Sequence, residues 1–249
     1  MGFKEVMDAA TSGDPNAQNA LGYIYFEGNG VVKDVDKAFM WFRLSARQGD
    51  PEGQCNMGYM LAHGFGANQD PEKAIELYKR SAEQGYVRAQ FNLAHMYSEG
   101  FGTEQNWDEA FRWYEEAAKN GSLAAFYRIG VMKEEGRGIP KDEKEAISIF
   151  EKCWSEGHEK AGFRLGMMIF EGRGTAKDQN KAVKVLAKAA DTGSSDAMCQ
   201  LGKMSLSGEG MVKSHSNAVK WLKKAHARGS IEAGTILAEI KVQVPENIL

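Results

Sequence analysis

Proline and cysteine are scarce in this chain of 249 residues, which holds 5 of the first and 3 of the second. So little proline excludes a collagen-like or proline-rich extended chain. The cysteines, Cys55, Cys153 and Cys199, form no C-x-x-C pair, which removes the usual zinc and redox motifs. No apolar run approaches the roughly 18 residues that a membrane-spanning helix needs, so no integral membrane segment is expected. The opening Met1-Gly2-Phe3-Lys4-Glu5 lacks the apolar stretch of a signal peptide. A basic excess is missing as well. A formal net charge of −3 lends no support to phosphate-backbone binding, and nucleic acid is not an expected partner. The remaining composition, 43% apolar and 26% charged, is that of an ordinary globular protein. Glycine is the exception, with 28 residues.

The glycines are periodic. Gly13, Gly49, Gly85, Gly121, Gly157, Gly193 and Gly229 follow each other at intervals of 36 residues. Gly28, Gly64, Gly100, Gly136, Gly172 and Gly208 do the same, and so does the set from Gly30 to Gly210 two residues later. A fourth column holds Gly22, Gly58, Gly130, Gly166 and Gly202, with Ala94 in the remaining slot. In all, 24 of the 28 glycines are in register. Internal periods of this size signal stacked supersecondary units. The phase gives full repeats at 14–49, 50–85, 86–121, 122–157, 158–193 and 194–229, with a half-repeat at 3–13 and another at 230–243.

Each repeat carries two amphipathic helices, A and B. Ala17, Leu21, Ile24 and Tyr25 fall at i, i+4, i+7 and i+8; Ala38, Trp41, Phe42, Ser45 and Ala46 form a second such stripe. Helix B follows Asp34, Asp70, Asn106, Asp142, Asp178 or Ser214, all good N-caps. Glu109 and Glu145 complete the sequence pattern of capping boxes. Helix A starts near Asp14, Asp50, Ser122, Ser194 and Ser230, with Tyr86 and His158 as weaker caps. Two glycine columns stand where a helix end wants a left-handed residue. The Gly22 column lies inside helix A, where glycine costs about 1 kcal/mol against alanine; the expected return is close approach to the Ala38 column of helix B. The column Met60, Met96, Met132, Met168, Met204 follows the core stripe and is expected to be buried.

The pattern from Ala17 to Gly49, with Leu21, Gly22, Tyr25, Gly28, Gly30, Val31, Asp34, Lys37, Ala38, Trp41, Phe42 and Ala46, resembles the Sel-1-like repeat, or SLR. The resemblance runs over about residues 3–241. It implies an all-α fold, a right-handed α-solenoid of six 36-residue helix-turn-helix repeats in a single domain over 1–249. It also implies binding rather than catalysis: a scaffold or adaptor for another protein, or a bacterial immunity protein that neutralises a secreted toxin. A hydrolytic enzyme is the competing class. Lys133 and Ser205 depart from the Tyr25 column, Trp154 and His226 from Ala46, and Gly53 from Ala17.

In such stacks the A helices line the concave surface. The positions expected to face a partner are therefore Asn19, Tyr23, Phe26, Tyr59, His95, Met167 and Phe170, with Arg128 and Arg164 positioned to pair with a partner carboxylate. Glu27, Glu99, Glu135 and Glu171 form an acidic rim that would suit a partly basic partner. The column Asn19, Cys55, Phe91, Tyr127, Phe163, Cys199 is expected to pack largely between A helices. The five histidines make no metal spacing, though His63 and His95 can approach one another. Cys55 and Cys199 are four repeats apart, at about 10 Å per helix layer, far beyond the ~7 Å reach of a disulfide. No cofactor or metal is expected, and the free protein is expected to be a monomer. Free thiols favour the cytoplasm. The N-terminal half-repeat leaves open a removed signal segment and a periplasmic location. Val244 and Pro245 are expected to stop the last helix, with Ile248 and Leu249 folding back.

Overall fold

The computed structural model describes residues 2–243, and the expectations for Val244, Pro245, Ile248 and Leu249 fall outside them. Among the described residues there are fourteen helices and no strand. The A helices are α2(Pro15–Glu27), α4(Pro51–His63), α6(Val87–Glu99), α8(Leu123–Glu135), α10(Glu159–Glu171), α12(Ser195–Ser207) and α14(Ile231–Gln243). The B helices are α1(Phe3–Thr11), α3(Val35–Arg47), α5(Pro71–Glu83), α7(Trp107–Lys119), α9(Glu143–Ser155), α11(Gln179–Asp191) and α13(His215–Ala227). The expected helical hairpins are therefore present, and the fold class is an α-solenoid. The chain divides into two compact units. One holds the helices before α8, the start of α8 up to Phe126, and residues 137–139; the other holds the rest of α8 and the chain from Pro140 onward. Within each unit a helix packs mainly on its neighbours in sequence. No described helix is long and apolar enough to cross a membrane.

The N-caps form where the sequence puts them. The side chains of Asp34, Asp70, Asn106, Asp142, Asp178 and Ser214 each accept from the backbone N–H three residues on, as do those of Asp14, Asp50, Ser122, Ser194 and Ser230 in the A helices. Tyr86 and His158 make no such bond. The capping boxes expected of Glu109 and Glu145 do not form. The Asn106 N–H is already donated to the Tyr97 carbonyl at 2.9 Å, and that of Asp142 to the Lys133 carbonyl at 2.8 Å. The equivalent bond recurs from Asp34, Asp70, Asp178 and Ser214 and ties each B helix back to its A helix. Glu145 instead pairs with Lys133 at 2.8 Å, which accounts for a lysine in the Tyr25 column.

The expected approach of the in-helix glycines to the Ala38 column is seen at Gly58 and Gly202, where a Cβ would lie 3.3 Å from the Ala74 carbonyl oxygen and 3.5 Å from that of Ala218, but the tightest neighbour is a different one. A Cβ on Gly22 would come within 2.5 Å of the Phe42 ring, and one on Gly166 or Gly202 within 2.7 Å of Leu186 or Leu222. The space is taken by the large residue one turn after the Ala38 column. The Gly30 column also does more than turn the chain. Gly102, at φ +76°, sits against the Pro71 backbone, where a Cβ would approach to 2.6 Å; Gly66, Gly138 and Gly210 likewise lie against the first residue of the preceding B helix. Gly30 itself has open space.

Two of the four glycines outside the columns answer the departures in the Ala46 column. A Cβ on Gly162 would meet the Trp154 ring at 2.7 Å, and one on Gly234 the His226 ring at 2.8 Å. Where the Ala46 column is large, the facing position of the next A helix has no side chain. Where it is alanine, that position is Gln18, Gln54, Gln90, Phe126 or Met198. Gly53 fits beneath Ser45, whose Oγ would lie 2.5 Å from a Cβ there. The methionine column is buried throughout.

Candidate functional site

On the A-helix face of the first unit, α2, α4 and α6 are joined by a chain of hydrogen bonds. Arg88 donates from Nη1 to Tyr23 Oη at 2.7 Å and from Nη2 to Asn56 Oδ1 at 2.5 Å. Tyr23 donates to the same Asn56 oxygen at 2.7 Å. The Asn56 amide donates to Asn19 Oδ1 at 3.2 Å, and Asn19 donates to Asp50 Oδ2 at 2.6 Å. The N-cap carboxylate of α4 thus orients a row of polar groups ending at an exposed guanidinium. Asn19 is buried within this row. The expectation that it meets a partner is corrected, because both ends of its amide are spent internally.

Beside the row lies an aromatic cluster. Phe26 stands edge-on to Tyr59 with ring centroids 6.3 Å apart, and Tyr59 lies 4.3 Å from His63, which stacks on Phe65 at 5.6 Å. Two open cavities flank Tyr59. The smaller, about 340 Å³, is lined by Tyr23, Phe26, Asn56, Tyr59, Arg88 and Asn92. The larger, about 540 Å³, is lined by Tyr59, His63, Asn92, His95, Met96 and Phe101, among others. Tyr59 and Asn92 belong to both walls. The Asn92 amide has a long contact of 3.9 Å to Cys55 Sγ and retains hydrogen-bonding capacity toward the cavities. His95 is exposed, with Nδ1 3.8 Å from Glu99 Oε1.

The site thus combines stacking surface, an amide, an imidazole and a cation. Beneath it, burial pushes the Cys55 thiol up to about 11, so it is not an activated nucleophile. Burial likewise raises the Tyr78 phenol. Cys153 is similarly raised to about 11 by burial, and all three cysteines are free and buried. Among the described residues no group of three metal-ligating side chains converges.

Of the residues expected from sequence, Tyr23, Phe26, Tyr59 and His95 come together here. Arg128, Arg164, Met167 and Phe170 belong to the second unit. Arg164 is not free for a partner carboxylate: it binds buried Glu134 at 2.6 Å and Glu135 at 3.2 Å, and Arg173 holds Glu134 from the other side at 2.6 Å. Burial opposes the Arg164 charge, but its hydrogen bond to Glu134 raises its pKa above the ordinary value. Glu135 and Glu171 are thereby partly neutralised as rim charges. Phe170 packs against the core of its unit, with the Lys177 ammonium 5.6 Å from its ring. Arg128 and Met167 are half-buried. Sequence reasoning missed Asn56, Asn92 and Arg88. The available signal was the helix A stripe of positions 16, 20, 23 and 27, at i, i+4, i+7 and i+11. Arg88 is equivalent to position 16, and Asn56 and Asn92 to position 20.

A family model of the Sel1 repeat matches residues 15–50, 51–86, 87–122, 124–152, 160–194 and 195–230. A Sel1 repeat protein from Oxalobacter formigenes is similar over 96% of this chain and 69% of its own, at 33% identity and a TM-score of 0.80. A protective antigen of uropathogenic Escherichia coli displaying an SLR fold is similar over 98% of this chain, at 29% identity and a TM-score of 0.86. The present chain spans 52% of that protein. An immunity protein from Pseudomonas aeruginosa shares the fold at 14% identity and a TM-score of 0.54, over 88% of this chain and 82% of its own. No curated protein matches the sequence at a significant level.

Proposed function

Because the chain belongs to the Sel1 repeat family, we propose that it is a non-catalytic protein-interaction scaffold that takes a protein partner on the A-helix face of its first unit. The observation that carries this reading is the pair of cavities sharing Tyr59 and Asn92, with aromatic walls and the Arg88 guanidinium at the lip. Tyrosine and arginine dominate binding energy at interfaces, particularly beside well-packed pockets. The protein acts as a monomer when free. Its three unpaired thiols are consistent with a reducing compartment, and the cytoplasm is our placement.

The test is affinity capture with the immobilised full chain, followed by titration of the captured protein. Tyr59→Ala with His95→Ala should weaken its binding at least about tenfold while circular dichroism shows the helices intact. Equal affinity for the double variant would reject this face. A second reading narrows the partner to a secreted toxin, supported by the likeness in fold to the Pseudomonas immunity proteins. A toxin encoded beside this chain should then lose activity on stoichiometric addition of the protein. Turnover of a hydrolase substrate, lost on substitution of the face, would instead favour the enzyme class.

A further inference from the structure

The opposite side of the first unit carries a second, chemically different groove. It runs between the B helices α3 and α5, with α4 beneath and the 67–70 turn at one end, and encloses about 750 Å³. Its apolar lining includes Phe39, Met57, Leu61 and Leu77. Arg43 and Arg47 stand one turn apart on α3, and Lys73 and Arg80 stand two turns apart on α5. None of these four cations has a carboxylate within ion-pair distance among the described residues. The Arg43 Nε is buried without a hydrogen-bond partner, while its guanidinium carbon lies 5.9 Å from the Phe39 ring centroid. Two acidic residues also line the groove. Asp70 is engaged as the N-cap of α5, accepting from the Lys73 N–H at 3.0 Å, and Glu72 is exposed.

The repeat pattern shows that the feature is local. At the positions equivalent to Arg43, the later repeats have Lys79, Glu115, Glu151, Ala187 and Lys223. At those equivalent to Arg47 they have Glu83, Lys119, Ser155, Asp191 and Ala227. Among neighbouring B helices, only α3 and α5 combine two arginines on one helix with a lysine and an arginine on the next. A net charge of −3 over the whole chain makes this a positive patch on an acidic protein, so it favours a partner with a local patch of opposite charge rather than polyanions at large.

We propose that this groove is a docking surface for an acidic amphipathic segment of a partner protein, its apolar side on Phe39, Met57, Leu61 and Leu77 and its carboxylates on the two cationic rails. Spacing supports a helical segment: carboxylates four or seven residues apart on one helix are separated by about 6 and 10 Å along its axis. These are the separations of Arg43 from Arg47 and of Lys73 from Arg80 along theirs. The apolar floor favours such a segment over nucleic acid, whose contacts here would be to phosphate.

The probe is a fluorescein-labelled synthetic helical peptide with Leu at a and d and Glu elsewhere on the flanks, titrated with the full chain by anisotropy. Saturable binding is expected, weakening as salt rises. Arg47→Gln with Arg80→Gln, both exposed and removable without disturbing the core, should weaken it about tenfold, whereas Lys223→Gln should leave it unchanged. A matched peptide with Lys in place of Glu should not bind. Absence of saturable binding by the Glu peptide, equal binding by the Arg47/Arg80 variant, or tighter binding of a single-stranded oligonucleotide, inorganic phosphate or anionic vesicles would each overturn the proposal.

Discussion

His158 shows how one residue can be both a weak cap and a pH-sensitive packing element. It precedes α10 without making a side-chain cap, stacks on Tyr127 at 4.2 Å, and leaves Nδ1 buried without a partner. Burial lowers its pKa below the ordinary 6.5, and the charges of Lys160 and Arg128 add to the effect. The folded state therefore binds the proton less well than the unfolded state. The stabilisation is fully present above the unfolded pKa and is lost as pH falls through it toward the folded value. The melting temperature should drop between pH 7 and 5, and His158→Phe, which keeps the stack but cannot be protonated, should flatten that drop. An unchanged pH profile in the variant would reject the role. The N-caps could be read from sequence because each depends on a side chain and a backbone N–H three residues apart. The capping boxes could not, because the competing carbonyl comes from the end of the previous helix. The burial of Asn19 escapes a sequence reading for a related reason. An A helix is covered by its own B helix and by the preceding one, so its buried arc is wider than a single amphipathic stripe suggests.

Between elements, packing is governed by exchange of volume across each B-to-A junction. Trp154 and Gly162 occupy one space that alanine and a larger residue share elsewhere. Gly162→Ala should cost about 1–3 kcal/mol through overpacking. The same substitution made in a Trp154→Ala background should be neutral, or stabilise by up to about 1 kcal/mol through helix propensity. A double-mutant cycle by denaturant titration measures this coupling, and additive effects would show that the two residues do not share the space. The relation was present in the sequence, since each large residue in the Ala46 column is followed eight positions later by glycine. It became readable only once the structure showed which position faces which. The Gly30 column is a parallel case: its register was plain, but the backbone it rests against belongs to the preceding repeat.

For the whole molecule, the repeat period was decisive for fold class because each hairpin draws its contacts from its neighbours in sequence. The candidate site was less accessible. Arg88 reaches Tyr23 from 65 residues away, a distance that no local pattern expresses. An unbroken phase leads to the expectation of one domain over 1–249, whereas contacts partition the chain at α8. Hydrogen exchange in rising guanidinium would distinguish these descriptions. We expect the amides of α3–α5 and of α10–α12 to lose protection at different denaturant concentrations, as nearest-neighbour stability predicts. A common midpoint would establish a single cooperative domain.

The pairing of Trp154 with Gly162 also determines how this protein can be shortened, lengthened or recombined. Excising the repeat at 158–193, from one A helix to the next, would place Trp154 against Met198 and jam the new junction. Cutting within the A-to-B loops keeps each B helix with the A helix it was fitted to. The cassette that can be moved between such proteins is therefore offset by half a period from the one the glycines mark.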